Sequence, residues 1–391
     1  MSLSPPDAGR PYAAALAEQL GNAGAIRTQP WAEAFASIPR HVFVPQWYEQ
    51  ETDARGIAVW RRRWATTEAD IEAVYRDMTL VTGLDPATAK QVDADAWTGV
   101  ATSSSTLPSL MAGMLEDLQV DDGHRVLEIG TGTGYNAALL SARLGDAAVH
   151  SMDIDQALVD AAQERLHRIG HEPQLLPGDG TQGYPDGGPF DRIIATCSVP
   201  SVPAAWVDQL RPGGVLLTDV TLGIEGGLVR LSRDTGGEAR GFFTTTTGRF
   251  MAARGDARTY PVQERPERAP AARSRPTTLT AAQIRAHYPL RLALAFQMPD
   301  TELVYYVDDV EGTSIQLQRG DGSWARVPIA GNTELVTFGG DEGLWKQAEE
   351  AWAWWNYADR PAQDRFGYVR EPDGSAYAWY LPDGSRWNLT G

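Results

Sequence analysis

The sequence lacks the features that usually mark a membrane or metal-binding protein. No apolar run approaches the ~20 residues that a membrane helix needs, and the stretch from Met1 to Pro6 lacks the basic and apolar regions of a signal peptide. The lone cysteine, Cys197, cannot form an intramolecular disulfide, and the six histidines show no metal-ligand spacing. We therefore expect a cytoplasmic protein with no metal site and no membrane partner.

Positive charge is also scarce. Lys and Arg number 34 against 51 Asp and Glu, which gives a formal net charge of −17. Because phosphate binding needs clustered basic side chains, we expect no nucleic-acid partner. An acidic substrate would need a local basic or hydrogen-bonding pocket against this unfavourable field. The 391 residues, with a hydrophobic content of 42%, suit a globular chain of two or three units.

The middle of the chain alternates between strand and helix patterns. The predicted strands cover 125–129, 148–153, 190–195 and 215–218. The predicted helices cover 135–144, 156–169 and 204–210. This alternation predicts an α/β fold, with a doubly wound, Rossmann-like parallel sheet that carries helices on both faces. Two later β-like runs, 227–232 and 241–247, predict an antiparallel edge.

Weaker patterns flank this core. Residues 1–120 are predicted to form an N-terminal helical region on the substrate side, with a short extended segment at 41–45 and no clear core strand from 46 to 101. The core itself should cover 121–254, followed by a Pro- and Arg-rich linker at 255–278. A smaller α+β extension is predicted at 279–391, and we expect the tryptophan-rich helix from Glu342 to pack into its core.

The most informative motif is a glycine-rich turn after the first core strand. Glu128 ends the strand pattern, and the glycines at 130, 132 and 134 let the backbone approach a ligand closely. A dinucleotide fold would prefer G-x-G-x-x-G, because its pyrophosphate lies on the helix N-terminus. A carboxylate at this position disfavours phosphate and suits the amino group and sulfonium of S-adenosylmethionine.

Acidic residues after the next two strands support the same ligand. Asp153 is positioned to bind both ribose hydroxyls, and the run Gly178-Asp179-Gly180 can set a carboxylate beside the adenine amino group. Each feature alone is also explained by an ordinary turn or a solvated acid. Their order, strand by strand, favours a cofactor site, with a dinucleotide oxidoreductase as the alternative.

Residues 31–254 resemble the protein-L-isoaspartate O-methyltransferase family. The matching stretches are 39–45 (P-R-H-V-F-V-P), 75–77, 126–135, 178–183, 189–194 and 203–214. The resemblance implies S-adenosylmethionine as methyl donor and S-adenosylhomocysteine as product. It also implies a peptide or protein substrate with an Asp or isoAsp carboxylate, whose methyl ester collapses to a succinimide (aspartimide).

The resemblance also assigns residues to roles. The family's Ser-x-Pro falls on Thr106 and Pro108, so Thr106 is the predicted catalytic hydroxyl and Ser105 is the alternative donor. The predicted substrate contacts are Ser103, Ser104 and Ser198. The predicted cofactor contacts are Glu128, Gly130, Thr131, Gly132, Gly134, Tyr135, Asp153, Gly178, Asp179, Gly180 and Thr196. The alternatives are N-capping by the Ser/Thr run and packing of Tyr135 between helix and sheet.

Three parts depart from the family pattern: insertions at 46–74 and 82–102, and everything after Arg254. Longer actinobacterial relatives look similar and tailor ribosomally made cyclic peptides, so a cyclic modified precursor peptide is the predicted substrate. The eight arginines from Arg254 to Arg291 predict a basic strap that steers an acidic peptide, or else a solvated linker. General isoaspartate repair, small-molecule O-methylation and non-catalytic peptide binding with retained cofactor affinity are the other hypotheses.

Overall fold

A computed structural model describes residues 5–52, 58–255, 273–308, 312–330 and 335–389. The chain forms two compact units. The first consists of Met1–Ser198, Pro203–Thr218 and Thr246–Pro261, and the second of Val199–Val202, Asp219–Thr245 and Val262–Gly391. The division into four parts that was expected from the sequence stays a prediction. No described helix is long and apolar enough to cross a bilayer.

The first unit begins with three helices, α1 (Arg10–Asn22), α2 (Gln29–Ser37) and α3 (Arg40–Phe43). The short helix α3 corrects the prediction of an extended segment at 41–45. Pro39, in extended conformation, precedes it, and all four of its residues are buried. The ring of His41 bonds the hydroxyl of Tyr75 at 2.9 Å, and such long-range contacts decide the conformation of a four-residue segment whose local pattern is ambiguous.

A six-stranded antiparallel sheet, the insertion sheet, follows. Its strands are β1 (Gln46–Thr52), β2 (Ala58–Trp64), β3 (Leu80–Leu84), β4 (Lys90–Asp93), β5 (Ala96–Thr98) and β6 (Ala101–Ser105), in the order β4-β5-β2-β1-β3-β6. The expectation of no clear strand from 46 to 101 is therefore wrong. On one face Glu49 pairs with Arg63 at 2.9 Å and Glu51 with Arg61 at 2.7 Å, so charged pairs occupy positions where an apolar alternation would otherwise show.

Helix α4 (Glu68–Val74) lies between β2 and β3, and α5 (Pro108–Leu118) follows β6. The predicted core comes next, with the elements β7 (Val126–Ile129), α6 (Tyr135–Leu144), β8 (Val149–Asp153), α7 (Gln156–Arg168), β9 (Gln174–Pro177), β10 (Phe190–Val199), α8 (Ala204–Asp208) and β11 (Leu210–Thr221). The sheet order in this unit is β11-β10-β7-β8-β9, and β10, β7, β8 and β9 pair in parallel. The doubly wound α/β prediction is confirmed.

The second unit holds two antiparallel sheets. Its elements are β12 (Gly226–Arg233), β13 (Ala239–Phe243), β14 (Arg273–Pro276), α9 (Ala281–Ala286), α10 (Tyr288–Gln297), β15 (Thr301–Asp308), β16 (Gly312–Arg319), β17 (Trp324–Pro328), β18 (Leu335–Gly339), α11 (Gly343–Tyr357), β19 (Phe366–Arg370), β20 (Ala376–Tyr380) and β21 (Ser385–Asn388). The sheet orders are β21-β20-β19-β13-β12 and β14-β18-β17-β16-β15. Of the α11 tryptophans, Trp345 and Trp355 are buried, while Trp352 and Trp354 are partly exposed.

The predicted basic strap is wrong for three of its arginines. Arg273 and Arg275 both lie in β14. Arg273 forms an ion pair with Glu342, and Arg275 forms one with Glu349. Arg291 pairs with Glu225 at 2.7 Å. Each of these guanidinium groups is paired with a carboxylate of its own unit, which offsets its charge. Of the other five arginines, Arg254 and Arg285 are described, and positions 258, 265 and 268 lie outside the described residues.

One buried guanidinium joins the N-terminal helices to the insertion sheet. The side chain of Arg40 is fully buried and donates to the carbonyl oxygens of Val74, Arg76 and Met78 at 2.7–3.1 Å. It also reaches the hydroxyl of Ser105 at 3.3 Å and the carbonyl of Thr106 at 3.2 Å. Burial lowers the pKa of Arg40 to about 10, so the group remains cationic at neutral pH.

The Arg40→Met variant should lose about 3–5 kcal/mol of unfolding free energy, because several carbonyl oxygens would lose a charged hydrogen-bond donor. Urea unfolding followed by tryptophan fluorescence measures the loss. Arg10→Met, which removes an exposed arginine paired with Asp7, is the matched control and should unfold almost like the native protein. Equal midpoints for the two variants would contradict this account of Arg40.

Candidate active site

A cavity of the first unit lies at the carboxyl ends of the parallel strands, where ligands bind in open α/β sheets. Its volume is about 300 Å³. One wall comes from the loops after β7, β8, β9 and β10, and another from β3 and β6. Nine of the predicted site residues line it: Ser103, Ser104, Thr106, Gly130, Gly132, Asp153, Asp179, Gly180 and Thr196.

All three glycines of the turn, at 130, 132 and 134, have a positive φ, and the last two serve different purposes. Gly134 has a φ of 87°, and a Cβ there would lie 2.9 Å from the Cβ of Ala162, so this glycine permits α6 and α7 to approach. Gly132 has a φ of 53°, and a Cβ there would meet nothing closer than 3.8 Å. Gly132 therefore keeps open the space that a ligand would fill, whereas Gly134 lines neither cavity of the site and serves packing.

Asp153 connects this turn to the end of β8. Its carboxylate accepts the backbone N–H of Gly132 at 2.8 Å and that of Asp155 at 3.1 Å, one on each oxygen. Burial raises the pKa of Asp153, and the two N–H groups oppose that rise. Each carboxylate oxygen retains a lone pair, so Asp153 can still accept two hydroxyl groups of a ligand.

Asp179 starts the turn after β9 and accepts from both the backbone N–H and the hydroxyl of Thr181. The indole N–H of Trp206 donates to the carbonyl of Gly180 at 2.7 Å and holds this turn against α8. Gly178 lies behind the turn with a φ of 152° and lines neither cavity of the site. Its conformation sets the direction of Asp179.

A second cavity, of about 30 Å³, lies beside the first and is polar. Glu128, Thr131, Tyr135 and Ser105 line it. Glu128 is fully buried and accepts from Asn136 at 2.8 Å and from Ser151 at 2.6 Å. Among the described residues, the hydroxyl of Tyr135 and the side-chain oxygen of Asn136 find no hydrogen-bond partner. These oxygens fit a small cationic group such as an ammonium.

The hydroxyl run separates into two sets. Ser104 and Thr106 border both cavities, and Ser103, whose hydroxyl lies 3.0 Å from that of Thr82, borders the larger one. Ser105 points the other way, is 3% exposed, and accepts from the guanidinium of Arg40. Of the two predicted catalytic hydroxyls, Thr106 therefore borders the larger cavity, whereas Ser105 borders only the smaller one and holds the strand end in place.

Two further features were not anticipated from the sequence. Ser198 is buried and outside both cavities, and its backbone bonds the segment from Met251 to Ala253, whereas its neighbour Cys197 lines the larger cavity. Residues 249–254 form part of the wall, including Arg249 and Arg254. The sequence analysis placed this segment at the end of the core without a role in the site. Its place after a predicted strand was the one sequence signal that could have indicated such a role.

Glu128 makes the stability of the unliganded protein depend on pH. Burial raises its pKa to about 7 from an ordinary 4.5, although hydrogen bonds from Ser151 and Asn136 oppose the rise. Between these two values the folded state binds more protons than the unfolded state. Its stability therefore falls as pH rises through this window.

In Glu128→Gln the titratable group is gone. We expect the unfolding free energy of this variant, relative to the native protein, to rise from pH 5 to pH 8, as measured by urea unfolding at each pH. Glu33→Gln, at an exposed position of α2, should show a constant offset instead. A constant offset for Glu128→Gln as well would show that Glu128 ionises in the folded protein as it does in the unfolded chain.

The part of the chain that builds this site matches known proteins. The family model described as protein-L-isoaspartate(D-aspartate) O-methyltransferase covers residues 57–251. The protein-L-isoaspartate O-methyltransferase of Methanosarcina mazei is 30% identical over 220 residues, which is 56% of this chain and 74% of that protein. The enzyme of that name from Methanopyrus kandleri is 33% identical over 208 residues, 52% of this chain and 75% of that protein.

A solved structure of a protein-L-isoaspartate O-methyltransferase shares the fold, with a TM-score of 0.52 at 21% identity. The match covers 94% of this chain and 98% of that one. It therefore extends well beyond Arg254, so the fold of the C-terminal part also occurs in that structure. The sequence matches, together with the glycine turn and the acidic residues around the cavity, show that this chain belongs to the protein-L-isoaspartate O-methyltransferase family of S-adenosylmethionine-dependent methyltransferases.

Proposed function

We propose that this protein transfers a methyl group to the carboxylate of an Asp or isoAsp residue in a peptide or protein. The observation that carries the proposal is that Asp153 and Thr106 line the same cavity, with Arg249 and Arg254 on its wall. The two arginines supply local positive charge for an acidic acceptor in a chain of net charge −17.

The lining of the cavity suits an acceptor that needs no deprotonation. None of the described residues that line it is a histidine or a lysine. A carboxylate with a pKa near ~4 is already ionised at neutral pH and needs no general base. An alcohol or amine acceptor would have to lose a proton, and the two carboxylates that line the cavity, Asp153 and Asp179, are the groups proposed to hold the cofactor. This difference favours carboxyl methylation over small-molecule O-methylation.

The residues present fit the cofactor. Asp153 has lone pairs for the ribose hydroxyls, Gly132 leaves room beside it, and the smaller cavity presents Glu128 and Asn136 to the amino group. When bound, S-adenosylmethionine supplies an electrophilic methyl group. The hydroxyl of Thr106 donates to one oxygen of the acceptor carboxylate and orients the other for attack, while the cavity walls exclude water.

The finer proposal concerns the fate and source of the substrate. In the esterified peptide the following backbone nitrogen attacks the ester carbonyl, methanol leaves and a succinimide forms. We infer that the substrate is a ribosomally made, modified peptide, cyclic in the narrow form of the hypothesis. The support is that both insertions build strands of the sheet whose edge strand, β6, lines the cavity. General isoaspartate repair is the alternative.

Two peptides separate these forms. With a labelled methyl donor, general repair predicts methylation of a linear isoaspartyl hexapeptide at a rate far above that of its aspartyl twin. Tailoring predicts poor turnover of both linear peptides and methylation of an ordinary aspartate within a macrocycle that presents it in a fixed conformation. A protein that binds these peptides and never forms S-adenosylhomocysteine would instead be the non-catalytic binder.

Thr106→Val should lower kcat about 10- to 100-fold, because it keeps the volume of the side chain and removes the donor to the acceptor carboxylate. Thr106→Ser restores the hydroxyl and should recover most of the rate. Thr98→Val, on β5 and outside both cavities, is the matched control and should behave as native. Native rates in Thr106→Val would remove this hydroxyl from the mechanism.

A further inference from the structure

One row of side chains runs across the insertion sheet from the cavity to a cation. Ser104 on β6 pairs with Val81 on β3, Val81 pairs with Tyr48 on β1, and Tyr48 pairs with Arg62 on β2. Directly paired residues of antiparallel strands share a face of the sheet. Ser104 and Val81 line the larger cavity, so Tyr48 and Arg62 lie on the face that continues from its wall.

Aromatic rings surround this cation. The guanidinium of Arg62 lies 5.1 Å from the ring of Trp64 and 4.6 Å from the ring of Trp97, both within range of a cation–π interaction. Tyr48 packs edge-on against Trp97 at 5.8 Å. All four side chains are partly exposed, so the rings hold the guanidinium without covering it. We call Tyr48, Arg62, Trp64 and Trp97 the aromatic platform.

The hydrogen-bonding capacity of Arg62 is not used up. Its Nε is buried and has no acceptor among the described residues. Its nearest carboxylate oxygen, on Asp95, lies 3.6 Å from Nη2, which is too long for a hydrogen bond. The arginines on either side differ, since Arg61 and Arg63 face the other way and bond Glu51 and Glu49 at 2.7 and 2.9 Å. Among the described residues, Arg62 alone of these three makes no hydrogen bond to a carboxylate.

We propose that the aromatic platform binds the part of the peptide substrate that flanks the methyl acceptor, with a carboxylate of the peptide on Arg62 and apolar side chains on the indole rings. This inference rests on the proposed function, since it takes the acceptor residue to lie in the cavity beside Ser104. The pairing is favourable, because the peptide carboxylate meets a partly exposed guanidinium in a chain of net charge −17.

The geometry sets the position of that carboxylate in the peptide. Three strand spacings of ~4.8 Å separate Ser104 from Arg62, which gives about 14 Å. An extended peptide advances ~3.3 Å per residue, so the acidic residue lies about four positions from the acceptor. The platform thus selects peptides with an acidic residue at that spacing, and short acceptors do not reach it.

The test uses decapeptides that carry an isoaspartate near one end and either a Glu or a Gln four positions away. In one set the Glu or Gln follows the isoaspartate, and in the other set it precedes it. If the protein methylates only macrocycles, the same design is made in macrocyclic peptides with an ordinary aspartate. In one direction the Glu peptide should have a KM about tenfold below that of its Gln twin with the native protein. The ratio should fall to about one in Arg62→Gln. Arg63→Gln, on the same strand and the opposite face, is the matched control and should keep the tenfold ratio.

The outcomes separate the two proposals. Equal KM values for Glu and Gln peptides in the native protein, or equal loss of the ratio in both arginine variants, would overturn the platform. Binding of fluorescent decapeptides, measured by anisotropy, covers the case in which no peptide is methylated. A Glu preference in binding without turnover would support the platform and refute the proposed function. Because the Glu-to-Gln comparison is made first in the native protein, instability of Arg62→Gln does not remove the test.

Discussion

The buried guanidinium of Arg40 is the contact on which the substrate side of the site depends. A fully buried cation must have its donors paired, and Arg40 meets this demand with carbonyl oxygens from two stretches of chain, 74–78 and 105–106. The stretch between α4 and β3 and the end of β6 are thereby held to α3. The catalytic hydroxyl predicted at Thr106 follows β6 directly. Its position is therefore set by a residue 66 positions earlier in the sequence.

The sequence predicted the α/β core well and the insertion sheet poorly, for the same physical reason. Strands β7 and β8 are buried at every position and alternate with the helices α6 and α7, whose apolar spacing short-range patterns recognise. In β1 and β2, one face carries Glu–Arg pairs and the other carries Arg62 among aromatic rings. The stabilising contacts there join strands rather than neighbours in sequence. A single-sequence pattern does not contain the register that turns these charges into partners.

The candidate site shows the same division. The glycine turn, Asp153, Asp179 and the hydroxyl run could be predicted because each follows a strand, and carboxyl ends of parallel strands meet at one edge. Segment 249–254 could not be predicted, since it returns to the cavity from a long distance along the chain. Thr196 and Cys197 line the cavity, whereas the backbone of Ser198 pairs with the segment from Met251 to Ala253 and its side chain is buried. That pairing joins residues far apart in the chain, so the sequence around Ser198 does not indicate it.

The order of strands in the insertion sheet has a consequence for how this site can change. The sheet grows from β3 away from β6, so β4 and β5 are its most distant strands and β6 stays next to the cavity. Tolerance to substitution should therefore be lowest where β6 and Arg40 fix the reacting hydroxyl, and it should be highest four or five strands away. Along such a gradient a protein can acquire new peptide partners through its outer strands while the chemistry at its inner edge is inherited unchanged.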